Sequence, residues 1–176
     1  MNKEFLKEVE ARSGQHLAEC YLCGKCTAGC PMASEMDIPP HLLMRYLQLG
    51  REEPLRSRAI WLCGSAQICT ARCPKDIDVA RVYDTLREMA YERGQVPAGV
   101  EDIRAFHSAF LKGVRKFGRM NEVDLTRRFK FKTGHLLQDA RLAPQMFLKG
   151  KLRLRPTRIR GIEEIRGIFE RSGLRL

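Results

Sequence analysis

The sequence is poor in aromatic residues and has no long hydrophobic run. Phe, Trp and Tyr make up 7% of its 176 residues, and Trp61 is the single tryptophan. No stretch of 18 apolar residues occurs, so we expect no membrane-spanning segment. Residues 1–10 are charged and lack the apolar core of a secretory signal. We therefore expect a cytoplasmic protein whose cysteines are reduced.

The motifs of common enzyme classes are also missing. There is no phosphate-binding loop, no dinucleotide-binding fingerprint and no evident pairing of a nucleophile with a base. The four histidines, His16, His41, His107 and His135, are scattered along the chain and have no obvious partner. We expect them to have surface or packing roles. The sequence thus predicts no catalytic residues in this chain.

Acidic residues are scarce in the second half of the chain. Residues 1–96 hold 13 Lys and Arg against 13 Asp and Glu, whereas residues 97–176 hold 19 against 8. The whole net charge of +11 therefore lies in the second half, which is suited to binding an acidic partner. Nucleic acid is not the expected partner, because no aromatic residues are interleaved with the charges and no binding motif occurs.

The informative residues are seven cysteines in two runs that share one spacing. The first run has the pattern C-x2-C-x2-C-x3-C-P, and the second repeats it 43 residues later with alanine in place of its second cysteine. The residues of the first run are Cys20, Cys23, Cys26, Cys30 and Pro31, and those of the second are Cys63, Ala66, Cys69, Cys73 and Pro74.

This spacing is typical of bacterial-type iron–sulfur proteins. The first three cysteines of a run hold one cluster and the fourth ligates the other cluster. Small residues between the cysteines allow backbone N–H groups to approach the sulfides, which tunes the reduction potential. A structural zinc site is the alternative, but zinc sites have no reason to repeat Cys-Pro at one offset. Seven is an odd number for a disulfide framework, and no cysteine lies outside the two runs.

The first half of the chain reads as an all-α repeat of helix, cysteine loop and helix. Helices are predicted at residues 2–19, from the segment Asp37-Ile-Pro39-Pro40 until Gly50, at about 54–62, and from Val79 until Gly94. The buried sides are predicted to be Leu42, Leu43, Tyr46, Leu47 and Leu49 in the second helix, and Val79, Val82, Tyr83, Leu86 and Ala90 in the fourth, which Asp78 caps.

Residues 95–99, Gln-Val-Pro-Ala-Gly, form the predicted boundary between two domains. We expect a two-cluster domain at 1–96 and a basic helical extension for subunit docking at 97–176. In the extension, apolar faces are predicted for three helices: Ile103, Phe106, Phe110, Leu111, Val114 and Phe117; the segment 136–148; and Ile162, Ile165, Ile168 and Phe169. The basic run 149–160 is either a solvated connection or a docking arm.

The cysteine runs and the basic tail together resemble the small iron–sulfur subunit of heterodisulfide reductases, the one designated C, and its bacterial relatives. In the tail the similar stretches are 106–110, 127–134, 147–152 and 161–168. The resemblance covers nearly the whole chain. It implies an alpha-helical ferredoxin-like protein with two 4Fe–4S clusters, which passes electrons between two partners in an oxidoreductase complex. In that family the donor is a flavin-bearing subunit and the acceptor is a cysteine-rich subunit with clusters of its own.

The resemblance also implies which cysteines bind each cluster. Cys20, Cys23 and Cys26 with Cys73 hold the first cluster, and Cys63 and Cys69 with Cys30 belong to the second. Ala66 departs from the family, which normally has cysteine there. The second run also resembles that of the iron–sulfur subunit of succinate dehydrogenase, where the site holds a 3Fe–4S cluster. The iron–sulfur subunit of such a quinone-linked dehydrogenase is therefore the alternative function, and a zinc-stabilised basic binding module is a third.

Three outcomes are open for the second cluster. It is a 3Fe–4S cluster, a 4Fe–4S cluster whose fourth iron takes water or a non-cysteine residue, or an empty site. Ser65 is adjacent to Ala66, but its shifted position makes ligation awkward. Because three cysteines and Pro74 are intact, an empty second site is disfavoured. We expect one 4Fe–4S cluster, and the resemblance to the succinate dehydrogenase run favours 3Fe–4S for the second.

Overall fold

The computed structural model describes residues 3–134, 143–150 and 158–173. Within these ranges every regular element is helical, which confirms the predicted all-α class. Backbone contacts divide the chain into two compact units, Met1–Val100 and Glu101–Leu176.

The first unit has six helices joined by short turns. Their bounds are α1 Lys3–Ser13, α2 Lys25–Ala28, α3 Pro40–Gln48, α4 Ala59–Leu62, α5 Ile68–Ala71 and α6 Val79–Glu92. Three 3₁₀ turns lie between them, at Leu17–Glu19, Ala33–Glu35 and Glu53–Arg56. The second unit contains α7 Glu101–Phe117, α8 Glu122–Thr133, α9 Ala143–Leu148 and α10 Ile162–Arg171.

Helix α6 is the centre of the first unit. It contacts α1, α4, α5 and the turn at Glu53–Arg56. All five of its predicted core residues are buried, and the Asp78 carboxylate accepts a hydrogen bond from the Arg81 backbone N–H at 3.0 Å, so the predicted cap is confirmed. Two long-range ion pairs, Arg12–Glu92 and Arg93–Glu8, join α6 to α1 at the surface.

The core side of α3 differs from the prediction. Leu43 and Leu47 are buried as expected, together with Met44, but Leu42 is 41% exposed. The helix does begin at Pro40, where the missing N–H has no intrahelical partner to lose.

The first predicted helix ends earlier than expected. Helix α1 stops at Ser13 because Gly14 adopts φ +68° and its N–H bonds to the Glu10 carbonyl at 2.8 Å. The chain then makes a 3₁₀ turn that buries Leu17 fully and leads into Cys20.

The predicted helix at 54–62 is broken in two by Asp37. Ser57 is extended, and the Asp37 carboxylate accepts hydrogen bonds from Ser57 Oγ at 2.7 Å and from the backbone N–H groups of Arg58 and Ala59, both at 2.9 Å. Although partial burial raises the pKa of Asp37, these hydrogen bonds and that of Ile38 N–H hold it below its usual value. Asp37 therefore starts α4, which ends immediately before Cys63.

Helices α7 and α8 pack closely in the second unit, and α10 packs on α7. The buried positions of α7 are the small residues Ala105, Ala109 and Gly113, followed by Phe117. Of the apolar face predicted for α7, only Phe117 is buried, and Phe106 is 43% exposed. Small side chains at four-residue spacing form the buried side, and Phe106 lies at its edge, with its ring centroid 6.0 Å from that of Phe129 of α8.

We expect Asp37→Ala to lower the stability of the first unit, because it removes the carboxylate that caps α4. The expected loss is about 1–2 kcal/mol. The measurement is urea unfolding under anaerobic conditions, with the helical circular dichroism signal used to monitor the transition. Glu35→Ala, which removes an exposed carboxylate two residues away, is the control and should change little. Equal midpoints for the two variants would show that the cap contributes nothing.

Candidate iron–sulfur site

The two cysteine loops have the same backbone conformation. Leu22 and Ser65 are equivalent under the 43-residue offset and have φ +61° and +49°, and Gly24 and Gln67 have +76° and +60°. Each loop continues into a one-turn helix, α2 or α5, and the fourth cysteine bonds to the carbonyl three residues earlier at 3.1 Å in both loops. The two loops are thus structural copies, including the stretch around Ala66.

A matching threonine attaches each loop to the helix that follows it. Thr27 Oγ1 lies 2.8 Å from His41 Nδ1 and accepts the His41 backbone N–H at 3.0 Å. Its equivalent, Thr70, donates to the Asp78 carboxylate at 2.8 Å. His41 therefore has a specific partner beside the cysteines, which the scattered positions of the histidines in the sequence did not reveal. His135 lies outside the described residues.

Four of the seven cysteines surround one cavity. Cys20, Cys23 and Cys26 of the first loop and Cys73 of the second line it, and the apolar remainder includes Met44, Ile77 and Val79. No three His, Cys, Asp or Glu side chains in the described part of the chain converge on one point as the ligands of a single metal ion would. The four thiols instead stand around the cavity, on walls formed by both loops.

The remaining three cysteines form a second group. Burial is the main cause that raises the pKa of Cys63, and the neighbouring Cys30 thiol raises it further. The pKa of Cys69 is raised in the same way by burial and, to a smaller degree, by Cys63. Cys30 of the first loop therefore lies close to Cys63 of the second, and Cys63 lies close to Cys69. The cysteines thus fall into two groups, each with members from both loops.

Burial raises the pKa of four of the thiols, those of Cys20, Cys26, Cys63 and Cys69, and so favours their protonated form. Burial raises the pKa of Cys26 to about 11 and also raises that of Cys20, to which Cys73 and Cys23 add. Iron binds the thiolate, so loading must release these protons. Tyr83 of α6 is 1% exposed, and its pKa is raised by burial and by thiols of both groups, Cys63 and Cys30 foremost. Thiols of both sets therefore lie close enough to Tyr83 to influence its hydroxyl.

A polar cluster that the sequence did not predict lies beside Ala66. Ser65 Oγ is 3.3 Å from an oxygen of Asp84 and accepts a hydrogen bond from Arg87 at 3.0 Å, and Arg87 is also paired with Asp84. The Ser65 backbone N–H and the Arg87 guanidinium both lower the pKa of the Cys63 thiol, against the larger effect of burial. The Arg87–Asp84 ion pair therefore lies next to Cys63, and the guanidinium has the larger effect on its thiol.

Two buried donors in the described part of the first unit have no acceptor among the described protein atoms. They are Nε of Arg87 and Nε1 of Trp61, which lies two residues before Cys63. Buried N–H groups are nearly always bonded, so an unpaired one needs an acceptor. The sulfides of an iron–sulfur cluster accept such bonds. The donor set at the second group of cysteines therefore fits a cluster.

The sequence signal for Asp84 and Arg87 was weak. They are polar residues three apart on a helix whose other face is apolar. Their role arises because the fold brings them into contact with Ser65, which lies about 20 residues away in the sequence. The matching role of Thr27 and Thr70 could have been predicted from the sequence, because each directly follows the third cysteine of its run.

Comparison with known proteins defines the class of this domain. Residues 16–77 match the family described as "4Fe-4S dicluster domain". The matched stretch contains all seven cysteines and both loops. Residues 16–77 are therefore similar to iron–sulfur dicluster domains. No helix in the described part of the chain is both long and apolar enough to cross a membrane.

The similar curated proteins are iron–sulfur components of one kind of oxidoreductase. The chain is 32% identical to a "CoB–CoM heterodisulfide reductase iron-sulfur subunit" of Methanocaldococcus jannaschii, over 54% of this chain and 56% of that protein. It is 31% identical to the corresponding subunit of the "Ferredoxin:CoB-CoM heterodisulfide reductase" of Methanosarcina mazei, over 53% and 58%. The predicted resemblance to this iron–sulfur subunit is confirmed over about half of this chain, not over nearly the whole chain, and the chain spans just over half the length of these relatives.

The strained backbone of the second loop gives a direct test of its conformation. Gln67 has a φ that costs a side-chain-bearing residue roughly 1–2 kcal/mol, so Gln67→Gly should stabilise the protein by about 1 kcal/mol. Ala71→Gly, at a residue of the same loop without positive φ, should have the opposite effect, because glycine there only increases the conformational entropy lost on folding. Anaerobic urea unfolding of both variants measures this, and destabilisation by Gln67→Gly would contradict the loop geometry.

Proposed function

We propose that this chain is the electron-transfer subunit of a heterodisulfide reductase-like complex. It relays electrons between a flavin-bearing subunit and a cysteine-rich subunit, the second of which acts on the disulfide or thiol. The observation that carries the proposal is the grouping of seven cysteines from two equivalent loops into two sets. The names of the similar proteins supply the kind of complex.

The proposed ligands follow the two sets of cysteines. Cys20, Cys23, Cys26 and Cys73 hold a 4Fe–4S cluster, and Cys63, Cys69 and Cys30 hold the second cluster. When bound, the clusters supply one-electron transfer. The protein's own contribution is to orient the thiols, to exclude water by burying them, and to aim N–H donors at the sulfurs.

The second cluster is proposed to be 3Fe–4S, because the methyl group of Ala66 cannot bind iron. Its site is proposed to be filled, since the loop keeps positive φ at Ser65 and Gln67 without glycine. Such strain persists only where the surrounding structure requires it. The two unpaired donors, Trp61 Nε1 and Arg87 Nε, support the same proposal.

Electron paramagnetic resonance of the anaerobically purified, oxidised protein tests the cluster type. A 3Fe–4S cluster is paramagnetic in this state, whereas an oxidised 4Fe–4S cluster of this kind is silent. We expect a signal that Ala66→Cys abolishes while iron content rises to that of two 4Fe–4S clusters. Ala71→Cys adds a thiol to the same loop away from the ligand position and should leave the signal intact.

Two other results would overturn the assignment. A colourless protein with stoichiometric zinc would make the chain a zinc-stabilised module. Iron sufficient for two full 4Fe–4S clusters without the signal would mean that the fourth iron takes a non-cysteine ligand. Identification of the co-purified proteins then separates the proposed complex from a quinone-linked dehydrogenase: flavin-bearing and cysteine-rich subunits support the first, and a membrane anchor the second.

Arg87 is expected to raise the reduction potential of the second cluster. Its positive charge lies beside Cys63 and favours the more negative, reduced state. Arg87→Gln should lower that potential by on the order of tens of millivolts and leave the first cluster unchanged. The measurement is a redox titration followed by electron paramagnetic resonance. Arg81→Gln, an exposed position of the same helix, is the control. Equal shifts in both variants would exclude a specific role.

A further inference from the structure

The second unit contains a surface pocket whose described lining residues are all cationic. Three come from α7, namely Lys112, Arg115 and Lys116, and the others are Arg128 of α8 and Arg166 of α10. The pocket is open to solvent. Five positive charges from three helices converge there, although like charges repel one another in the free protein.

Carboxylates hold two of these cations in place. Asp124 is 8% exposed and accepts a hydrogen bond from Arg128 Nε at 2.6 Å, and its own backbone N–H bonds to the Asn121 side chain at 2.9 Å. Arg166 pairs with Glu163 at 2.8 Å. The geometry of the pocket is therefore organised before any ligand binds.

The three cations of α7 are not balanced in this way. Among the described residues, no carboxylate pairs with Lys112, Arg115 or Lys116. They lie at positions i, i+3 and i+4 and so share one side of the helix. Arg115 and Lys116 are exposed. The pocket thus presents a net positive charge that an anionic ligand would neutralise.

We propose that this basic pocket is the docking site for an acidic segment of a neighbouring subunit. The inference rests on the proposed function, because it requires the chain to work within a complex. Charge complementarity carries it: the whole formal excess of +11 lies in residues 97–176, and the pocket concentrates part of it at one place. The described lining has no aromatic or aliphatic residue, so it suits carboxylates and offers nothing on which nucleic-acid bases could stack.

Zero-length cross-linking of the intact complex tests the contact directly. A carbodiimide joins a lysine amine to a carboxylate only where the two touch. We expect amide cross-links from Lys112 or Lys116 to Asp or Glu of a co-purified subunit, located by mass spectrometry at low salt and lost at high salt. Cross-links to that protein that come only from other lysines would overturn the proposal.

Charge reversal provides the second measurement. The triple variant Lys112→Glu, Arg115→Glu and Lys116→Glu should weaken the complex at least about tenfold in a salt-dependent binding assay. The control reverses three exposed cations of the same unit that lie outside the pocket and outside the run 149–160, Arg119, Lys132 and Arg171, with the same change in net charge. An unchanged circular dichroism spectrum and visible absorption would show that both variants fold and keep their clusters.

The outcomes separate the inference from the function on which it rests. Equal weakening by both variants, or none by either, would mean that the pocket is not the docking site. Competition by pyrophosphate at the pocket, without dissociation of the complex, would identify a small anion as the occupant and overturn the proposal. A wild-type chain that purifies without any other subunit would contradict the proposed function itself.

Discussion

Contact between the two cysteine loops is the constraint on which the site depends. Each proposed cluster takes one thiol from the opposite loop, so the loops must meet at a fixed distance. Gly29 lies at this meeting point: a Cβ there would come within 2.9 Å of the Arg72 side chain and 3.2 Å of Ile68. Gly29 and Arg72 are equivalent residues of the two loops, so the close approach is at the axis that relates them.

The side-chain hydrogen bonds that hold the two loops in place are less symmetric than the loops themselves. Asp37 follows the first loop but caps α4, the helix that leads into the second, and it thereby connects the two halves of the unit. Gln48 of α3 donates to the carbonyls of Leu17 and Cys20 at 3.0 and 2.7 Å, and so fixes the entry to the first loop. A buried helix, α6, then closes both halves. The repeat supplies the thiols, and non-repeated polar contacts hold them in register.

Local patterns in the sequence predicted the cysteine loops and the core of α6, because ligand spacing and helical periodicity are properties of neighbouring residues. The roles of Asp37 and Arg87 depend on partners about 20 residues away, which no local pattern encodes. The predicted buried face of α7 was only partly right, for another reason. Its phenylalanines gave the stronger hydrophobic signal, but Ala105, Ala109 and Gly113 allow the closer helix contact, and packing followed the small residues.

Cys23 differs from the other six cysteines in that it is exposed, whereas they are half-buried. Susceptibility of thiols to oxidation follows their exposure. An oxidant that reaches the isolated chain would therefore attack the proposed first cluster at its Cys23 corner, beside Tyr21, whose ring is also largely exposed. If a neighbouring protein covers this corner, the lifetime of the cluster in air becomes a measure of assembly. A chain without its partner would then lose its cluster and its visible absorption before an assembled one.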